Sequence, residues 1–163
     1  YYLGYALEQM RGTFYRQVMF SEFELAIHEA VERGEALTGS RMTQIYGEIL
    51  KRYHGHSTGV MKITDRETIE WAYIPHFYYN FYVYQYATSI AGAAYFVDRL
   101  NSGSDGARET YIKFLEAGGS DYPLDILRAA GLDMTTREPY DAVIDRMDGV
   151  MDQIEAILDS REG

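Results

Sequence analysis

The sequence predicts an all-helical fold, and two features of it carry this prediction. Apolar side chains recur at intervals of three and four residues over long stretches, which is the spacing of an amphipathic α-helix. Glycine, proline and small polar residues stand between these stretches, where helices begin and end. A chain built from such segments buries its apolar faces by packing helix against helix.

The ends of several predicted helices carry local signals. Gly34 follows the first helix as its C′ residue, and Thr38 or Ser40 is the N-cap of the second. Pro123 begins a short helix and Gly131 follows its last residue, the usual asymmetry of proline and glycine. The predicted helices cover residues 5–33, 38–53, 77–100, 107–117, 123–131 and 139–159, with a loop at 54–65 and a turn at 71–75.

Composition narrows the functional class. One domain, a single helical region over residues 1–163, is expected at this length. The formal net charge of −10 argues against nucleic acid and anionic membrane surfaces as partners. No apolar run reaches the roughly 18 residues of a membrane span, and the chain start resembles no signal peptide and lacks Met, so a piece of a longer protein is expected. The absence of cysteine excludes thiolate nucleophiles and fits a cytoplasmic protein.

A tyrosine-rich stretch, residues 74–87, is the most unusual part of the sequence. It holds His76 and five of the 16 tyrosines. Each buried phenol needs a hydrogen-bond partner or a solvent-filled cleft, so the stretch fits the wall of a polar cavity. A plain aromatic helix packed against other helices explains it equally well. On a helix, Tyr78, Tyr82 and Tyr86 would share one face.

Other polar residues give weaker signals. His28 and Glu32 lie four apart, but the zinc-peptidase helix needs two histidines at that spacing. His54 and His56 have no evident third ligand. A metal site assembled in space from His28, His54, His56 or His76 is a third option, and we expect no zinc to be bound stoichiometrically. Arg16 is a candidate substrate-facing arginine. Gly12, also on the first helix, is explained by close helix packing.

Several motifs in a fixed order resemble oligoendopeptidase F, a thimet-oligopeptidase-like zinc metallopeptidase family. The resemblance covers nearly the whole chain. The motifs are residues 11–17 (RGTFYRQ), 19–24 (MFSEFE), 34–38 (GEALT), Trp71, 74–79 (IPHFYY) and 81–87 (FYVYQYA).

The resemblance implies a mostly helical, two-lobed fold around a deep channel that admits short peptides. Zinc in this family is bound by an HExxH helix and a later glutamate, and neither occurs in this sequence. The chain is therefore expected to be the C-terminal helical portion of the enzyme. Zinc would belong to the full-length enzyme, with none bound to this chain alone.

The resemblance also implies residues of the site. A histidine and tyrosines after the zinc ligands line the channel in this family and hydrogen-bond the substrate and the tetrahedral intermediate, and His76 matches that histidine. The spacing after His76 differs from that of the thimet type. The resemblance therefore does not decide which tyrosine corresponds to the family's site tyrosines. The candidates are Tyr79, Tyr82 and Tyr86 as catalytic oxyanion donors, with Tyr84 as a further substrate-binding residue.

Two functions of different classes follow. In the first, the chain is part of a zinc oligoendopeptidase that hydrolyses internal bonds of short peptides, and the chain alone is inactive. In the second, it is a non-catalytic helical interaction module of peptidase ancestry. The expected partners are short peptides and the missing N-terminal part of the same enzyme, with self-association of the fragment through exposed apolar surface.

Overall fold

A computed structural model describes residues 1–162, apart from the side chain of Glu162. No β-strand occurs in that part of the chain, which confirms the predicted all-α class. A π-helical turn (Arg11–Tyr15) joins the first two helices, and 3₁₀ segments at His56–Thr58, Glu67–Tyr73 and Pro75–Tyr78 precede the fourth. The α-helices are α1 (Tyr2–Met10), α2 (Arg16–Glu32), α3 (Gly39–Tyr53), α4 (Tyr84–Asn101), α5 (Ala107–Ala117), α6 (Pro123–Ala129) and α7 (Glu138–Glu162).

The chain forms two compact units. One contains residues Tyr15–Gln85, and the other contains Tyr1–Phe14 together with the chain from Tyr86 onward. None of the helices described in residues 1–162 combines the length and apolar character needed to cross a membrane.

The junction between α2 and α3 follows local sequence signals. Gly34 takes a positive φ of 81°, and the Glu35 N–H donates to the Ala30 carbonyl at 2.9 Å. This is the glycine-terminated helix end that the sequence predicts. Thr38 is the N-cap of α3, because its hydroxyl accepts from the Arg41 N–H at 3.2 Å.

The π-helical turn changes the interpretation of Gly12. A Cβ on Gly12 would meet no atom within 4 Å, so the explanation by close helix packing is wrong. Gly12 instead lies in the widened turn Arg11–Tyr15, where the hydrogen-bond pattern shifts by one residue. Such turns are rare and occur often near functional sites.

Aromatic rings form the core of the Tyr15–Gln85 unit. Phe23 on α2 is 1% exposed, and its ring centroid lies 5.2 Å from that of Tyr46 and 5.1 Å from that of Phe77. Trp71 packs against the same cluster and donates its indole N–H to the Thr43 hydroxyl at 3.1 Å. These contacts fix the 3₁₀ segments onto α2 and α3.

In the other unit, α6 ends as the sequence predicts. Gly131 has a φ of 80°, and the Leu132 N–H donates to the Leu127 carbonyl at 2.9 Å. Leu132 is fully buried beside Tyr95, whose hydroxyl donates to the Gly131 carbonyl at 2.5 Å. The glycine therefore provides both the turn and an acceptor for a side chain of α4.

Replacing Gly47 by Ala is expected to lower the free energy of unfolding by about 1–3 kcal/mol. Its Cβ would lie 2.9 Å from Cγ2 of the buried Thr68, so α3 and the Glu67–Tyr73 segment would have to separate. Gly149→Ala in α7 is the matched control, because no atom lies within 4 Å of that Cβ. There alanine should stabilise by about 1 kcal/mol through helix propensity. Urea unfolding measures both changes, and equal shifts would contradict the packing argument.

Candidate substrate-binding site

The tyrosine-rich stretch is α-helical only from Tyr84. Ile74 is extended before Pro75, as expected for a residue preceding proline. After the 3₁₀ segment, Asn80 and Phe81 have positive φ values of 50° and 59°, and no α-helix continues through that geometry. The predicted helix start at Phe77 is therefore wrong.

The bend brings together three of the predicted site residues. The His76 ring centroid lies 6.0 Å from that of Tyr79 and 5.8 Å from that of Tyr82, and the two tyrosine rings are 5.9 Å apart. His76 and Tyr82 are stacked, whereas Tyr79 presents an edge. Tyr79 is 60% exposed and Tyr82 37%. We call these three residues the His76 cluster.

The His76 cluster offers hydrogen-bonding groups and exposed aromatic surface. A phenol hydroxyl can donate a hydrogen bond, and an imidazole offers a donor or an acceptor according to its tautomer. Donors of this kind bind a peptide carbonyl, and they gain strength when that oxygen becomes an oxyanion. The exposed ring surfaces can also pack against substrate side chains.

Two other predicted tyrosines lie in α4. Tyr84 is its first residue and is 51% exposed. Tyr86 is partly buried and belongs to the other compact unit. Because residues 79–83 are not helical, Tyr78, Tyr82 and Tyr86 do not share a helix face as the spacing predicted. The roles of Tyr84 and Tyr86 stay predictions.

Arg16 lies in a separate polar cluster. Its guanidinium pairs with Glu70 and stands 4.8 Å from the centroid of the Phe20 ring. Glu70 also accepts a hydrogen bond from the hydroxyl of the fully buried Tyr46. The pKa of Tyr46 is raised, mainly because the phenol is buried and secondly because of this hydrogen bond. The Arg16 side chain keeps 38% of its surface exposed. Substrate binding by Arg16 therefore stays a prediction, with Glu70 as its present partner.

Three histidines outside the His76 cluster have local contacts. His56 Nδ1 accepts from the Ile63 N–H at 2.9 Å, and His54 Nδ1 lies 3.0 Å from a backbone carbonyl of α3. The His28 ring lies 4.3 Å from the Phe81 ring. Within residues 1–162, no group of three or more histidine, aspartate or glutamate side chains is placed to hold a metal ion. The described residues therefore do not fit a zinc site of their own.

Glu24 contacts the bend of the candidate site, and the sequence analysis does not include it among the site residues. It is 1% exposed on α2, and its Oε1 accepts the Phe81 backbone N–H at 2.7 Å. A signal for it was present, because Glu24 stands on the apolar stripe of α2 with Phe20, Phe23 and Ile27. A carboxylate on a buried stripe requires a hydrogen-bond donor, and here the donor is the backbone of the bend.

Comparison with known proteins agrees with this architecture. Residues 3–146 match the profile of Peptidase family M3. The chain is 42% identical to oligopeptidase PepF of Bacillus subtilis over 159 residues, which cover 97% of this chain and 23% of that protein. It is 43% identical to the group B oligopeptidase PepB of Streptococcus agalactiae over 142 residues, covering 86% of this chain and 23% of that protein.

A solved structure gives the same result. The crystal structure of oligoendopeptidase-F from Enterococcus faecium matches with a TM-score of 0.90 at 32% identity, covering 97% of this chain and 30% of that one. The chain spans about a quarter of the length of the two curated relatives. The predicted resemblance to oligoendopeptidase F is confirmed. Since the family profile extends over most of its length, the chain belongs to Peptidase family M3.

Proposed function

We propose that this chain is the C-terminal part of a zinc oligoendopeptidase that hydrolyses internal bonds of short peptides. The named oligopeptidases among its relatives, and the quarter of their length that it spans, support this proposal. Residues 1–163 would form one helical region of the catalytic domain and contribute to the wall of a peptide channel. Zinc would be held by residues outside this chain.

The observation that carries the proposal is the His76 cluster. Its imidazole and two phenols contact one another through their rings and keep exposed surface. His76 would bind the substrate and orient its carbonyl, while Tyr79 or Tyr82 would donate to the oxyanion of the tetrahedral intermediate. The same proposal leaves Tyr86 as a third oxyanion candidate.

Replacing His76 by Ala in the full-length enzyme tests the proposal. Loss of one substrate hydrogen bond should lower kcat/KM about 10- to 10²-fold on a short internally quenched peptide. Zinc content should not change. His54→Ala is the matched control, because its imidazole contacts the backbone of its own helix.

Two results would contradict this assignment. An unchanged kcat/KM in His76→Ala would remove His76 from the substrate site, and loss of zinc would make it a metal-side residue. A full-length protein with no peptidase activity would favour the interaction module instead.

A further inference from the structure

We propose that Glu24 is a positioning residue of this site. Its buried carboxylate holds the left-handed bend at Asn80 and Phe81 and thereby sets the geometry of the His76 cluster. The inference rests on the proposed function of that cluster. Glu24 acts through the backbone of the bend.

The bend needs an external restraint. Asn80 and Phe81 are the two non-glycine residues with positive φ in residues 1–162. Asparagine tolerates this region because its short polar side chain can hydrogen-bond locally. A bulky residue such as phenylalanine is a genuine outlier there, and such strain persists only where surrounding structure over-determines it.

Glu24 supplies that restraint from α2. The Phe81 N–H donates to its Oε1 at 2.7 Å, across 57 positions of sequence. A carboxylate that is 1% exposed also needs that donor, because burying it without one is costly. Each partner therefore requires the other.

A second contact joins the same two elements. The Phe81 ring lies against the ring of His28, one turn after Glu24 on α2, at a centroid distance of 4.3 Å. The bend is thus attached to α2 by its backbone and by a side chain. Rotation of the Phe81 backbone to negative φ would turn its side chain relative to its N–H, so the two contacts could not both be kept.

The geometry of the His76 cluster depends on this bend. Tyr79 comes just before the left-handed pair and Tyr82 just after it, yet both rings lie within about 6 Å of His76. If the pair relaxed, the chain would leave Tyr79 in a different direction and Tyr82 would move away from its stacked position. A displacement of about 1 Å in a catalytic group costs about 10²-fold in rate.

The kinetic test compares two substitutions in the full-length enzyme. Glu24→Ala removes the acceptor, so we expect kcat to fall about 10²-fold with a much smaller change in KM. Glu24→Gln keeps an acceptor oxygen and should retain most of the wild-type kcat. Glu22→Gln is the matched control, because Glu22 lies on the same helix and pairs with Arg52 at the surface. Equal losses in Glu24→Gln and Glu24→Ala would overturn the proposal, since charge rather than the hydrogen bond would then matter.

Amide hydrogen exchange gives a readout independent of activity. In the wild-type full-length protein the Phe81 amide should be protected, although the side chain of Phe81 is 37% exposed. Glu24→Ala should abolish that protection while amides of the α3 core stay protected. A Phe81 amide that exchanges at loop rates in the wild type would overturn the proposal, even if the alanine variant fails to fold.

The two proposals fail in distinguishable ways. If the tyrosine substitutions lower kcat and Glu24→Ala does not, the positioning role falls and the proposed function stands. If the tyrosine and histidine substitutions leave kcat unchanged while Phe81 is protected, the proposed function falls and the anchoring of the bend by Glu24 is supported.

Discussion

Replacing Tyr82 by Phe in the full-length enzyme is expected to lower kcat about 10²- to 10³-fold. The substitution removes only the hydroxyl, so the stacking of this ring on His76 at 5.8 Å should remain. The loss would then report the hydrogen bond that forms to the oxyanion and not a change of packing. Steady-state kinetics on a short peptide, with zinc measured in the same preparation, checks both parts of the expectation.

The other tyrosines serve as comparisons. Tyr79 is more exposed than Tyr82, so water competes more strongly for its hydroxyl and a smaller effect is expected from Tyr79→Phe. Tyr78→Phe is the matched control, because its side chain is 80% exposed and lies outside the His76 cluster. Wild-type rates from the phenylalanine variants of Tyr79, Tyr82 and Tyr86 together would eliminate the oxyanion role.

Phe23→Ala should lower the free energy of unfolding by about 3–5 kcal/mol. Phe23 is 1% exposed and touches three aromatic side chains, at centroid distances of 5.2 Å for Tyr46, 5.1 Å for Phe77 and 6.4 Å for Trp71. Bulky rings such as these cannot collapse fully into the space left by the removed ring, so most of the cavity would persist. Urea denaturation followed by circular dichroism measures the change.

A surface position on the same helix provides the control for Phe23. Leu25 is 51% exposed, so Leu25→Ala should change the stability by no more than about 0.5 kcal/mol. A cost below about 1 kcal/mol for Phe23→Ala, far under the range for a buried phenylalanine, would show that the aromatic core is loosely packed. Because Phe77 adjoins His76, the same cavity should also loosen the His76 cluster and lower kcat.

Most of the fold follows from local signals in the sequence. The ends at Gly34, Thr38 and Gly131 depend on one residue type each, and the structure places all three as those residue types require. The apolar periodicity likewise predicts the helices that lie between these ends. Such features are readable because the atoms that satisfy them lie within a few residues along the chain.

The start of α4 was not predictable in this way. Residues 77–83 carry aromatic side chains at helical spacing, and only Asn80 hints at a left-handed backbone. The bend is held by Glu24, which lies 57 positions away from its partner. The position of Glu24 on an apolar stripe indicates that its carboxylate needs a donor, but the spacing does not show which distant segment supplies that donor. Periodicity alone therefore favours the wrong structure for residues 77–83.

For the candidate site, the sequence predicts individual residues but not the way the backbone arranges them. His76, Tyr79 and Tyr82 were named from the sequence, and the structure brings their rings into contact. Tyr86 would share a face with Tyr78 and Tyr82 only on a continuous helix, and it lies in the other compact unit. The carboxylate beneath the bend was missed because its role depends on the fold.

The bend has a consequence for the use of this segment outside its own protein. Pro75–Tyr78 forms a single 3₁₀ segment, and the residues that follow take their shape from contacts with α2. A synthetic peptide copied from residues 74–86, or the same residues grafted onto another scaffold, would lose the arrangement of its rings. The arrangement of the His76 cluster is therefore not expected to be transferred without α2. In related enzymes, substitutions on α2 would then be expected to alter peptidase activity without contacting the peptide.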